Sequence, residues 1–288
     1  MAFNETKTLA NGVKIPELAL GTWLIKNDET AVAVQEALKL GYRHIDTAQS
    51  YGNEAGVGAG LRAAGIAREK IFVTSKIAAE HKEYRSAADS IDASLQAMGL
   101  DYLDLMLIHS PQPWAAVNQS SDRYFEGNRA AWQAMEDALR AGKLRAIGVS
   151  NFLQEDLENL FTACTVRPMV NQLLVHITNT PFALIDYCQK QNVVVEAYSP
   201  VAHGEALKNH EITGMAQKYG VSPARLCLRY DLQLGLVVLP KTANPVHMAD
   251  NAALDFEISA ADMEALKGLE RIKDYGRSSF FPVYGGKL

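Results

Sequence analysis

Cysteine is scarce in this chain of 288 residues, and Cys164, Cys188 and Cys227 stand far apart with neither a CxxC pair nor metal-ligand spacing. That excludes a disulfide-stapled scaffold and a cysteine-held metal, and it predicts buried, reduced thiols in a cytoplasmic protein. Long apolar runs are missing too, so no membrane-spanning segment is expected, and MAFNETKTLANG at the start lacks the pattern of a secretion signal. Glycosylation-type triplets begin at Asn4 and Asn118; without such a signal they read as chance. Clustered positive charge is also lacking. Lys and Arg number 28 against 33 Asp and Glu, a formal net charge of -5, which argues against a nucleic-acid surface. An anionic ligand would have to be held by a few local cations. No low-complexity tract or linker interrupts the chain, so residues 1–288 are expected to form one domain.

What the sequence does contain is a repeated unit: a short apolar run, a polar residue at its end, then a stretch with helical spacing. The runs are Glu17–Trp23, Tyr42–Ile45, Ile71–Ser75, Leu103–Ile108, Leu144–Val149, Met169–Asn171, Val193–Ala197 and Leu236–Leu239. Helical patterns fall at Glu29–Leu40, with Gly41 as C-cap, and around 53–64, 83–98, 128–141, 153–162, 182–191 and 222–233. Eight strands separated by helices imply right-handed crossovers, a parallel sheet and closure as an α/β, (β/α)8 TIM barrel. Ahead of them TLANGVKIP reads as a β-hairpin closing the bottom of the barrel, with Asn11-Gly12 as a two-residue turn needing positive φ at both positions.

An open doubly wound sheet is the rival architecture, and its dinucleotide fingerprint is GxGxxG after the first strand. The nearest match, Gly56-Val57-Gly58-Ala59-Gly60-Leu61, has its third glycine misplaced and lies inside a helical stretch. Close packing explains those glycines better.

Barrel enzymes place their working side chains at the carboxyl ends of the strands. Seven of the eight runs end on such residues: Asp46, Lys76, His109, Ser150 with Asn151, Asn171 with Gln172, Tyr198, and Lys241. Any one alone is more readily a cap or a surface charge; together they converge on one rim. They also make a chemical set. Reducing a carbonyl with hydride leaves an alkoxide that needs a proton, and a phenol of pKa about 10 is a poor acid near neutral pH. A nearby ammonium lowers that pKa, a carboxylate keeps the ammonium charged, and a histidine orients the substrate oxygen. Lys76, Asp46 and His109 fill those roles around Tyr51, which lies in the loop after the second strand.

RHIDTAQSYGNEAGVGAGL from Arg43, the strand ending at Lys76, LDLMLIH from Leu103, IGVSNF from Ile147 and LPKTANPVHMADN from Leu239 resemble the aldo-keto reductase superfamily. The resemblance runs from the hairpin to about residue 256, and within the superfamily it is strongest to the bacterial group of 2,5-diketo-gluconate and methylglyoxal reductases. It implies an NADPH-dependent reductase of small carbonyl compounds, monomeric, with a tetrad of Asp46, Tyr51, Lys76 and His109. It further implies that Ser150, Asn151 and Gln172 hydrogen-bond the nicotinamide carboxamide, that Tyr198 stacks on the ring, and that Ser199 begins the pyrophosphate path.

In the family, the lysine of a Lys-Ser/Thr pair and an arginine five residues after that pair hold the adenosine 2′-phosphate. Here Lys241 and Thr242 match, but His247 stands for the arginine, Asp250 for the usual glutamate, and Asn251 follows as expected. Loss of a permanent guanidinium implies a looser grip on NADPH, with NADH also accepted. Many relatives carry Trp after the catalytic histidine; this chain has Ser110, with Trp114 four residues on, either opening the pocket or folding back to refill it. Trp23 is an expected pocket wall, whereas Trp132 has core spacing. The loop Pro111–Gly127 and the tail beyond Arg271, with Phe280, Phe281 and Tyr284, lack a period; the tail either covers substrate or packs on the barrel. Two other functions remain open: a non-catalytic NADPH-binding sensor similar to potassium-channel β subunits, and a barrel aldolase with Lys76 as Schiff-base lysine.

Overall fold

A computed structural model describes residues 5–285, which leaves Asn4, the first residue of its triplet, and the last three residues of the tail outside the described residues. Strands β1 (Thr6–Thr8) and β2 (Lys14–Pro16) pair antiparallel as the hairpin. Its turn differs from the expected two-residue form. The amide of Gly12 donates to Leu9 O and that of Leu9 to Val13 O, both at 2.8 Å, and only Gly12 takes positive φ (86°). Ala10, Asn11 and Gly12 thus form a three-residue loop with glycine in the left-handed position, and Asn11 is freed to donate its side chain to Arg145 O at 2.8 Å.

The eight barrel strands follow in sequence order: β3 (Leu20–Gly21), β4 (His44–Asp46), β5 (Phe72–Ile77), β6 (Leu105–Ile108), β7 (Ile147–Ser150), β8 (Val170–Leu174), β9 (Val194–Tyr198) and β10 (Val237–Leu239). Each pairs in parallel with its neighbour. Bridges Leu18–Val238 and Gly21–Lys241 join the first strand to the last and close the ring.

Side chains alternate across each strand. One set, including Phe72, Leu105, Leu107, Val170, Val237 and Leu239, forms a core with Leu9 and Ile15 of the hairpin, which therefore plugs the amino-terminal end. The other set, including Ile45, Val73, Met106, Ile147, Val149 and Val195, packs outward under the helices. His44, Asp46, Thr74, Lys76, Gln172, Glu196 and Tyr198 share the inward parity, so the barrel lumen is apolar at the plug and polar toward the opposite rim.

Helices α1 (Asn27–Leu40), α2 (Glu54–Ala63), α3 (Tyr84–Met98), α4 (Phe125–Arg140), α5 (Gln154–Phe161), α6 (Phe182–Lys190) and α8 (Pro223–Gln233) match the periodic stretches. Gly41 ends α1 at φ 113°. Three further helices lie outside the periodic stretches read from the sequence: α7 (His210–Lys218), α9 (Pro245–Ala252) and α10 (Ala260–Lys267). Their starts are marked by caps, as Asn209, Asn244 and Ser259 each accept a backbone N–H of the first turn.

The glycines of α2 are contact points. A Cβ on Gly56 would lie 2.3 Å from Asn27 O, and one on Gly58 only 2.0 Å from Met98 O. They let α2 nest between α1 and the end of α3. Trp132 is buried in α4 with its indole N–H donating to Val166 O at 3.0 Å. Cys188 and Cys227 are buried free thiols, whereas Cys164 is only half-buried.

Candidate active site

A cleft of about 600 Å³ opens at the carboxyl-end rim, floored by Asp46, Tyr51 and His109. Strand β4 delivers Asp46 and β5 delivers Lys76 from the lumen. Tyr51 arrives on a short 3-10 turn, Gln49–Tyr51, ended by Gly52 at φ 67°. Asn53 fixes that turn: its amide donates to Thr22 O and Ile25 O, both at 2.9 Å, while its oxygen accepts from Thr47 at 2.8 Å. One buried side chain thus ties the Tyr51 turn to the loop that carries Trp23.

Lys76 is fully buried, and its three ammonium protons have three acceptors: Asp46 Oδ1 at 2.7 Å, Thr47 O at 2.9 Å and Tyr51 Oη at 3.3 Å. Removing an ammonium from water costs several kcal/mol unless partners replace the lost solvation. Burial works to lower the Lys76 pKa, but Asp46 and Tyr51 outweigh it and the net shift is upward, so Lys76 stays charged. That is unfavourable to a Schiff-base role, which needs a free amine.

The phenol departs from the sequence expectation. Tyr51 keeps an edge toward the cleft, yet the protein packed around it raises its pKa above the ordinary value, and Lys76 only partly opposes this. The group is a neutral donor at physiological pH. His109, whose ring meets Tyr51 edge-on at 5.6 Å, is held well below its usual pKa by burial and by Lys76, and is a neutral imidazole. Ser50 Oγ lies 3.2 Å from His109 Nδ1. With that hydroxyl donating to Nδ1, Nε2 carries the ring proton toward the cleft.

Beside this group sit Ser150, Asn151 and Gln172. Ser150 donates to Gln172 O at 2.9 Å; Asn151 Nδ2 donates to His109 O at 3.1 Å and Ser150 Oγ at 3.2 Å, while its Oδ1 accepts from Tyr198 at 2.8 Å. Gln172 Nε2 donates to Asp46 Oδ2 and Glu196 Oε2, both at 2.9 Å. Every donor of these three side chains has a protein partner, so what they can still offer a ligand is acceptor capacity. Asn171, named with Gln172 in the sequence, has the outward parity and donates to Phe152 O at 2.9 Å, away from the cleft.

The far end of the cleft is lined by Ser199, Lys241 and His247. Ser199, Ala202 and His203 all hold positive φ, between 49° and 55°, a concentration of backbone strain in one strap. Lys241 and His247 are exposed, and His247 sits in the first turn of α9. Thr242 accepts the Asn244 amide at 3.0 Å, Asp250 accepts from Ser222 at 2.5 Å, and Asn251 is buried; none of these three lines the cleft.

The near end is aromatic. Trp114 folds back to meet His109 edge-on at 5.0 Å and Phe281 at 4.8 Å, and Trp23 lies 5.5 Å from Phe281 and 6.1 Å from Tyr284. The tail therefore packs into the cleft wall, except Phe280, which is 76% exposed. Asn118 donates to Pro282 O at 3.0 Å, so the loop after His109 and the tail brace each other.

A closed eight-stranded barrel with its ionisable groups gathered at the carboxyl-end rim defines an enzyme class rather than one enzyme. The sequence profile of the Aldo/keto reductase family matches residues 17–271, and the chain belongs to that family, making it an oxidoreductase of the carbonyl-reducing kind. It is 40% identical over 277 residues to the glyoxal reductase of Bacillus subtilis (strain 168), covering 96% of each chain. It is 38% identical over 282 residues to the 9,11-endoperoxide prostaglandin H2 reductase of Trypanosoma cruzi (strain CL Brener), covering 96% of this chain and 95% of that protein. Among solved structures, an aldo/keto reductase from Brucella melitensis superposes with a TM-score of 0.85 at 38% identity, covering 91% of this chain and 98% of that one. Among the described residues no helix is long and apolar enough to cross a membrane.

Proposed function

We propose that this chain reduces small aldehydes and ketones to alcohols with NADPH as hydride source and Tyr51 as proton donor. The observation that carries the reading is the contact of Tyr51 Oη with the buried Lys76–Asp46 pair at the floor of the cleft. NADPH, when bound, supplies the hydride; the protein supplies position and proton. The acceptors of Ser150, Asn151 and Gln172 suit the two N–H groups of a nicotinamide carboxamide, and Tyr198 offers the ring a stacking face. The substrate oxygen is held between the Tyr51 hydroxyl and the Nε2–H of His109, and as negative charge grows there Tyr51 gives up its proton with Lys76 beside it to stabilise the phenolate.

The phosphates pass along Ser199 toward Lys241. Thr242, His247 and Asn251 belong to the segment that receives the 2′-phosphate, and His247 in place of arginine lets NADH be used as well. Trp23 and Trp114 frame the carbonyl substrate. Following NADPH absorbance while adding glyoxal, methylglyoxal and aromatic aldehydes tests the reading. Aldehyde-dependent oxidation is expected, whereas cofactor binding without oxidation would leave the sensor reading standing instead.

A further inference from the structure

Behind the tetrad lies a carboxyl group that the reduction chemistry does not use. Glu196 sits in the middle of β9 with no exposed surface, in the lumen below Tyr198. Its Oε2 accepts from Gln172 Nε2 at 2.9 Å, and its Oε1 is buried with no hydrogen-bond partner. The other proton of the same Gln172 amide goes to Asp46 Oδ2. A continuous path of hydrogen bonds therefore runs from Tyr51 through Lys76, Asp46 and Gln172 to Glu196.

The groups facing Glu196 leave no cation for it. From β4 come Asp46 and His44; the His44 Nε2 lies 3.9 Å from Oε1 but is already paired with Thr74 at 2.9 Å, and burial lowers its pKa to about 4, so it is uncharged. From β5 comes Lys76, whose three protons are engaged elsewhere. Strand β8 contributes the neutral Gln172, and β10 contributes only Val237, Val238 and Leu239. An ionised Glu196 would be a second carboxylate in a lumen that holds one ammonium.

We propose that Glu196, as an uncharged carboxylic acid, is a positioning residue for the reduction site: it fixes the Gln172 amide so that the glutamine oxygen faces the nicotinamide, and it leaves Asp46 as the sole counter-ion of Lys76. This rests on the reading of the cleft as the reduction site. Burial, with Asp46 adding to it, pushes the Glu196 pKa up to about 8. Below that pH the lumen carries one balanced ion pair. Above it, the new anion sits beyond Asp46, favours the protonated phenol of Tyr51 further and makes it a weaker donor.

Two substitutions test the proposal. Glu196→Gln keeps the acceptor for Gln172 and removes the titration. Glu196→Leu removes both. In the parent protein, kcat for reduction falls as pH rises through about 8; Glu196→Gln loses that fall, and Glu196→Leu raises KM for NADPH about tenfold with a smaller loss in kcat, the scale of one lost hydrogen bond. A second readout needs neither cofactor nor substrate. A carboxyl whose folded pKa is raised contributes its stability fully at low pH and loses it as pH climbs toward the folded value. The Tm of Glu196→Gln relative to the parent should therefore climb between about pH 5 and pH 8 and then level. A Tm difference that stays constant with pH, or an alkaline limb identical in parent and Glu196→Gln, overturns the proposal. If the parent oxidises no NADPH with any aldehyde, the reading of the cleft fails, while the melting curves still judge whether Glu196 is uncharged.

Discussion

The hydroxyls of Tyr284 and Ser199 meet at 2.9 Å across 85 residues of chain, and Tyr284 also presses its ring edge-on against His203 at 4.6 Å. The tail thereby latches the strained strap that, in the proposed function, starts the phosphate path. Tyr284→Phe keeps the ring and deletes the bond, so NADPH affinity should weaken about five- to tenfold, the scale of one hydrogen bond. Fluorescence titration checks this; unchanged affinity would mean the strap holds its shape without the tail.

A different class of prediction concerns α2. A Cβ on Gly58 would meet the backbone of Met98, which cannot swing aside as a flexible side chain can. Gly58→Ala should therefore lower stability by about 1–3 kcal/mol through overpacking. Thermal unfolding measures it, and a Tm equal to the parent's would show that α2 and α3 can part at no cost.

His247 is exposed at the first turn of α9, facing the same end of the cleft as Lys241. His247→Arg should tighten NADPH relative to NADH by about tenfold, because a guanidinium adds a permanent, bidentate charge for a phosphate. Paired titrations with both cofactors decide it. An unaltered ratio of affinities would place residue 247 out of reach of the 2′-phosphate.

Much of this architecture is written in period. Short, mainly apolar runs identify all eight barrel strands, seven of them ending on polar residues, and the inward parity of a strand explains why Asp46, Lys76 and His109 reach one rim. The same parity separates Gln172 from Asn171, a distinction that the dipeptide alone does not draw. Helices α7, α9 and α10 span only eight or nine residues, too short for their period to stand out, although Asn244-Pro245 and Ser259 with Asp262 three residues later carry the signature of helix starts. Glu196 is hidden inside VVVEAY as one charge among apolar neighbours; its two-residue offset from Tyr198 marks it as inward. Ser50 and Asn53 lie within the motif around Tyr51, yet their roles depend on contacts with His109 and with the Trp23 loop, and those only folding supplies. The balance at Tyr51 is likewise a property of the fold: the sequence places a cation beside the phenol, but how far burial opposes that cation depends on packing.

The central claim is that Tyr51 gives the proton. Replacing Tyr51 by phenylalanine and measuring methylglyoxal reduction alongside NADPH binding tests it most directly. The account predicts a loss of at least about 100-fold in kcat, the scale of general acid catalysis, with NADPH affinity within about threefold of the parent's. A Tyr51→Phe protein that reduces the substrate at close to the parent rate would contradict it.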